Sequence, residues 1–303
     1  MHNLTGRAVI LYSSAWLEAR DLPPATVSIS LQDMVGFMEV VSNVEEDELD
    51  LIVHSPGGSA EAAEAIVEYL RTRFKHVRAF VPLAAMSAAT MIALSADEIV
   101  MGDHSQLGPQ FQIATPEGPR AAPAKAILDQ FEHAKRECRD PANLAAWMPI
   151  LRSYAPGLLA QCEDSRELAE GMVSQWLADY MFQGEADREE KAKRVAAWFA
   201  DYDSFQSHGR RVGPQPARNQ GVHVTRLEDD HDLQDAVLSV HHAAMHTFSN
   251  TMSAKIVENH HGRAWVQSRR DMLVPGPSIP IPVPAPQNPP NRAARRRQQR
   301  GRQ

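Results

Sequence analysis

Cysteine is scarce. The chain of 303 residues has two, Cys138 and Cys162, and neither sits in a CxxC pair or beside clustered histidines. That excludes a disulfide framework and a thiolate zinc site, and leaves two inert thiols in a reducing compartment. Long apolar runs are missing too. Met1–Arg7 lacks a basic region followed by an apolar core, Ala8–Trp16 is too short and interrupted, and no later window reaches a membrane-spanning length without charges. The expectation is a soluble, cytoplasmic chain with no membrane span. Excess positive charge is also absent. The formal net charge of −7 argues against nucleic-acid binding by the chain as a whole. No GxGxxG follows a strand, so no dinucleotide is expected, and no cofactor or metal is assigned.

What is present is an alternation of short buried strands and helices. Ala8–Tyr12, Leu51–His54, Val77–Pro82 and Glu98–Met101 are compact apolar runs that read as strands. Helices are expected from Ser28 or Ser30 through Val41, over Ala60–Phe74 and over Ala84–Leu94. Strands separated by helices indicate a parallel sheet with right-handed crossovers, buried on both faces. From Pro123 to about Tyr202 the pattern is helical. Val222–Leu227 reads as a returning strand, and Asp235–Thr251 and a segment near Ile256 as helical. The end, PGPSIPIPVPAPQNPPNRAARRRQQRGRQ, reads as a disordered polyproline-like stalk with a cationic tip. The expected divisions are 1–135 for the core, 136–202 for a helical insertion, 203–272 for the return of the core and 273–303 for the tail.

Two motifs carry chemistry. His54-Ser55-Pro56-Gly57-Gly58 lies at the carboxyl end of a strand, where paired glycines let backbone approach a ligand. Ala85-Met86-Ser87-Ala88-Ala89 lies at the next strand-to-helix junction, where amides and helix dipole favour negative charge. Ligands of parallel α/β sheets bind beyond the carboxyl ends of the strands. Together the motifs offer a hydroxyl nucleophile and an oxyanion hole, which are the needs of acyl transfer.

The ordered segments LIVHSPGGSAEAAEAIVEYL and VRAFVPLAAMSAATMIALSADEIVMGDHSQLGP resemble Clp proteases and signal peptide peptidase A. They are most similar to the serine dehydrogenase proteinase (SDH) family of Clp-fold serine proteinases. The resemblance covers roughly Ala8 to Ala134 and resumes over Asp203–Leu227. It implies a Clp/crotonase-like α/β fold and a serine-type endopeptidase acting on polypeptides as a homo-oligomer. By that resemblance Ser87 is the nucleophile, and Gly57, Gly58 and the Ala88 amide form the oxyanion hole. Gln110 stands where Clp proteases place their histidine. The family's Ser, Asp, His order instead points to Asp203 and His208. Lys125 is an alternative base, as in signal peptide peptidases, and His104 and His54 are further ones. A catalytically idle Clp-fold scaffold and a crotonase-like acyl-CoA enzyme compete with the peptidase, the latter disfavoured by Ser87. The helical block is expected to cover the site or form an oligomer interface.

The remaining features read as structural. Asp97 caps or ends the nucleophile helix, and Asp103 forms a turn or orients a histidine. His241, His242 and His246 share a helix but lack a third ligand, so they and His260-His261 read as surface. Trp147, Trp176 and Trp198 are expected to anchor packing. Arg295–Arg302 could tether an acidic partner or nucleic acid.

Overall fold

In the computed structural model β1 (Ala8–Ser14), β2 (Glu48–His54) and β3 (His76–Val81) are almost wholly buried. Apolar, β-branched runs covered on both sides are the parallel-strand pattern. These three pair in parallel with β5 (Glu98–Met101) and β9 (Val224–Arg226). On the far side of β1, β10 (Ser253–Asn259) and β11 (Ala264–Ser268) add antiparallel. The sheet order is β11-β10-β1-β2-β3-β5-β9. β4 (Ala84–Ala85) pairs with β6 (Gln106–Leu107), and β7 (Gln112–Ala114) with β8 (Ala121–Pro123). The structure describes residues 1–19, 22–108, 112–114, 121–201 and 211–268, all within one unit spanning Met1–Arg269. The Pro-rich tail lies outside them.

The helices are α1 (His2–Thr5), α2 (Pro24–Val27), α3 (Asp33–Val41), α4 (Ala60–Arg73), α5 (Ala88–Leu94) and α6 (Ala124–Glu137). They continue with α7 (Leu144–Arg152), α8 (Leu158–Trp176), α9 (Arg188–Ala200), α10 (Pro214–Asn219) and α11 (His231–Asn250). α3, α4 and α5 cover one face, where Phe37, Val40, Ile66 and Met91 share a core with Ile10, Leu51 and Val53. α8 and α9 extend that core through Met172, Trp176, Val195 and Phe199. α11 covers the other face, packing Val237, Ala244 and Phe248 on Val9, Leu11, Ile52 and Phe80. α4 shows why such a helix forms. Ser59 Oγ accepts the Ala62 amide at 3.0 Å, Glu61 lies in the first turn, and Arg71 and Arg73 lie in the last.

Three expectations change. The segment near Ile256 is strand β10, not helix, because Ile256 and Val257 face opposite cores, a period of two that only a strand produces. Ala84–Leu94 is not one helix. It splits into β4, a turn at Ser87, and α5. Its small apolar residues carry no period, and pairing with Ser55 and β6 decides the matter. The helix expected from Ser28 or Ser30 starts at Asp33, with no side-chain cap bond at its N-cap. Ser28 Oγ instead donates to Pro24 O at 2.7 Å.

Candidate active site

The turn after β2 and the turn before α5 meet at the carboxyl end of the sheet. Ser55 pairs with β4: its N–H donates to Ala84 O at 3.1 Å, and the Met86 N–H donates back to Ser55 O at 3.0 Å. This places Gly57 directly against Ser87. A Cβ on Gly57 would stand 2.4 Å from Met86 O, 2.7 Å from Ser87 Cβ and 2.9 Å from Ala88 N. Gly57 also has φ +90°, so two separate reasons require glycine there.

Ser87 has φ 51° and ψ −121°, the only positive φ outside glycine among the described residues. Such a conformation costs on the order of 1–3 kcal/mol and persists only where the surroundings over-determine it. They do so here. The wholly buried Thr90 hydroxyl lies 2.7 Å from Ala85 O and 2.9 Å from Gly108 O, and accepts the Gly108 N–H at 3.0 Å. The Ala89 and Met91 amides close the first turn onto Met86 O and Ser87 O, at 2.9 and 3.1 Å. A serine raised on a strained strand-to-helix turn presents its Oγ at the top of the sheet.

The amides around it are unequally engaged. Gly57 N–H donates to Ser55 Oγ at 3.2 Å, and Gly57 O accepts the Ile29 N–H at 2.7 Å. The N–H groups of Gly58 and Ala88 have no hydrogen-bond partner among the described residues. An unpaired backbone N–H next to a serine, such as that of Ala88, is the kind of donor that suits an oxyanion.

No described side chain hydrogen-bonds to Ser87 Oγ, and the residues singled out as bases are placed elsewhere or not described. His104 Nε2 donates to Pro82 O at 2.9 Å. Lys125, at the start of α6, bonds both Asp129 oxygens at 2.9 and 3.0 Å. His54 is fully buried, accepts the Trp16 indole N–H on Nε2 at 3.1 Å, and packs edge-on against His241 at 5.0 Å. Burial, then the neighbouring His241, pushes His54 down to about 3. A group so weakly basic is mismatched to proton abstraction near neutral pH. Asp203, His208 and Gln110 lie outside the described residues.

Several other side chains take structural places. Asp97 does not cap α5; it accepts the Val77 amide at 2.7 Å and pairs with Arg71 at 2.7 Å, joining β3 to α4. Asp103 pairs with Arg226 at 2.8 Å. His241 is buried rather than surface-facing, because α11 turns that position onto the sheet, while His242 and His246 are exposed. Trp176 is buried in the core beside α5. His260 is also not at the surface: its side chain is 7% exposed and stacks on His2. His2, Glu46 and His260 bring donor atoms within 4.8 Å of one another. His260 Nδ1 accepts the Val9 amide at 3.2 Å, which leaves the proton on Nε2, 3.2 Å from Glu46 Oε1. The two rings lie parallel at 4.2 Å instead of converging on a point, so the cluster is a histidine–carboxylate contact without metal geometry. A cavity of about 460 Å³ opens nearby, between β1, β10 and α11, and none of the Ser87 site residues lines it.

Residues 28–146 match the family of ClpP-like SDH-type serine proteinases. The matched segment holds Gly57, Gly58, Ser87, Ala88, His104 and Lys125, and ends before Asp203 and His208. Among curated proteins, the chain is similar to two uncharacterized proteins of Methanocaldococcus jannaschii. MJ0137 is 37% identical over 87 residues, 28% of this chain and 30% of that protein. MJ1495 is 37% identical over 82 residues, 27% of this chain and 28% of that protein. The similarity thus spans under a third of either relative. Among solved structures, the 1510-N membrane-bound stomatin-specific protease aligns in two forms, each at 15% identity. A serine-to-alanine mutant has TM-score 0.40, covering 69% of this chain and 79% of that one. A lysine-to-alanine mutant with a substrate peptide has TM-score 0.42, covering 68% and 74%. No described helix is long and apolar enough to cross a membrane.

Proposed function

We propose that the protein is a serine endopeptidase that cleaves polypeptides through an acyl-enzyme on Ser87. The observation that supports this reading is the close contact of Gly57 with the strained Ser87 turn, together with the unpaired N–H groups of its neighbours Gly58 and Ala88. The family match over 28–146 supports it. In the reaction a base accepts the Ser87 proton as Oγ bonds to the peptide carbonyl carbon. The carbonyl oxygen becomes an oxyanion held by the Gly58 and Ala88 N–H groups. The C–N bond then breaks, the amine leaves with the proton from the base, and water repeats the sequence to release the acid. The base in this proposal is His208 oriented by Asp203, with Lys125 and His104 as the rivals. A homo-oligomer in the cytoplasm, with the basic tail holding an acidic or nucleic-acid partner, completes the proposal.

A second reading, an idle Clp-fold scaffold, draws on the lack of any described base at Ser87 Oγ. Labelling with a fluorophosphonate probe separates the two. Wild type should label, and Ser87→Ala should not. Loss in His208→Ala identifies that base, and loss in Lys125→Ala identifies the lysine. A folded wild type that takes no label supports the scaffold.

A further inference from the structure

Behind the Gly57–Gly58 turn lies a charged network that the hydrolytic chemistry does not use. Asp33 opens α3 and Lys255 sits on β10, and both are buried, at 0% and 1% exposure. Lys255 Nζ donates to Asp33 Oδ1 at 2.7 Å and to Oδ2 at 3.0 Å. The Tyr12 hydroxyl, from β1, donates to Asp33 Oδ2 at 2.8 Å. The pair then reaches one tripeptide. Lys255 Nζ donates to Ser28 O at 2.7 Å, and Asp33 Oδ2 accepts the Ser30 N–H at 2.9 Å. Ser28-Ile29-Ser30 is therefore pinned at both ends by opposite charges.

The residue between the pins grips the glycine turn. Ile29 N–H donates to Gly57 O at 2.7 Å, and Ile29 O accepts the Ser59 N–H at 3.0 Å. The approach is so close that a Cβ on Gly58 would lie 2.3 Å from Ile29 O and 2.4 Å from Ile29 N. These two bonds straddle Gly58 and leave its own N–H unpaired. Stability is a poor account of such a network, since a buried ion pair is often replaced by apolar residues without loss. Placement is a better one: every charged group in it also bonds the backbone that borders the turn.

We propose that Asp33, Lys255 and Tyr12 are positioning residues for the oxyanion site. They fix Ser28–Ser30, which holds the Gly57–Gly58 peptide in register with Ser87. This rests on the peptidase reading, and the test separates the two. The full chain is compared with Tyr12→Phe and with the double variant Lys255→Met/Asp33→Leu, which removes both charges together. Three quantities are read: the thermal midpoint, the saturating rate and half-saturating concentration of fluorophosphonate labelling, and hydrogen exchange at the Ile29 and Ser59 amides. The double variant should still melt cooperatively, at a midpoint lowered because the Tyr12 hydroxyl, the Ser28 carbonyl and the Ser30 amide lose their partners. Its saturating rate should fall about tenfold or more with the half-saturating concentration unchanged, since displaced oxyanion donors act on the transition state. Its Ile29 and Ser59 amides should exchange faster. Tyr12→Phe, which keeps the ion pair, should show a smaller fall in the same direction. Wild-type labelling rates in both variants would overturn the proposal. If wild type itself takes no label, the peptidase reading fails and exchange alone decides: unchanged protection at Ile29 and Ser59 would overturn the clamp, and lost protection would uphold it.

Discussion

Ser87 is held against its own preference. With φ 51° and ψ −121° it occupies a region natural to glycine, and the Thr90–Gly108–Ala85 bonds keep it there. Function and stability then pull apart at one residue. Ser87→Gly should be more stable than Ser87→Ala by about 1 kcal/mol, because only glycine adopts this conformation without strain. Neither variant should take the fluorophosphonate label. Chemical denaturation of the two folded variants measures the difference, and equal stability would mean that the turn carries no strain. Gly57 next to it follows the same logic in space rather than torsion. No side chain fits 2.4 Å from Met86 O, so the two motifs require each other physically.

At the scale of elements, the contact of α11 with the end of β2 is built on neutral histidines. His54 and His241 are buried, and His241 is pushed down to about 4 by burial, then by His242 and His104. Both would protonate near 6.5 once the chain unfolds. A histidine depressed in the folded state binds fewer protons there than when unfolded. Stability from these two is therefore fully present above about pH 6.5, and falls as pH drops toward 4 and then 3. The slope should approach about 1.4 kcal/mol per pH unit for each group. Thermal melts between pH 7 and pH 4 test this, with His54→Gln expected to flatten the profile. A pH-independent midpoint over that range would contradict it.

For the molecule as a whole, the helical block is part of the core rather than an appendage. Met172, Val173, Trp176 and Phe199 are buried together with α5, the helix that follows Ser87. The Arg71 guanidinium lies 3.7 Å from the centre of the Tyr180 ring while it pairs with Asp97, tying α4, β3 and the block together. Removing residues 158–200 would expose side chains worth roughly 1.5–3 kcal/mol each. Such a deletion should yield a chain without a cooperative melt, not merely an altered assembly. A deletion variant that melts cooperatively near the wild-type midpoint would refute this.

How much of this was legible beforehand differs by feature. Four parallel strands, α4 and the order of the two motifs could be read from the chain, because strand runs, a Ser59 cap and paired glycines are local signals. Strand β10 could not, since Ser253–Asn259 is buried on both faces and shows no polar–apolar alternation, and its pairing with β1 comes from the far end of the chain. Nor could the burial of His241 and His260, which depends on which way a helix or hairpin faces. That a serine stands at a strand-to-helix junction, and a glycine pair at the junction before it, follows from local residue order alone. Chain packing sets the rest: Gly57 N–H is taken by Ser55, Gly58 and Ala88 stay unpaired among the described residues, and Lys255, 222 residues from Asp33, closes the network behind them. The reason is physical: local torsions and caps are set by neighbouring residues, whereas which amide finds an acceptor depends on backbone brought in from distant parts of the chain.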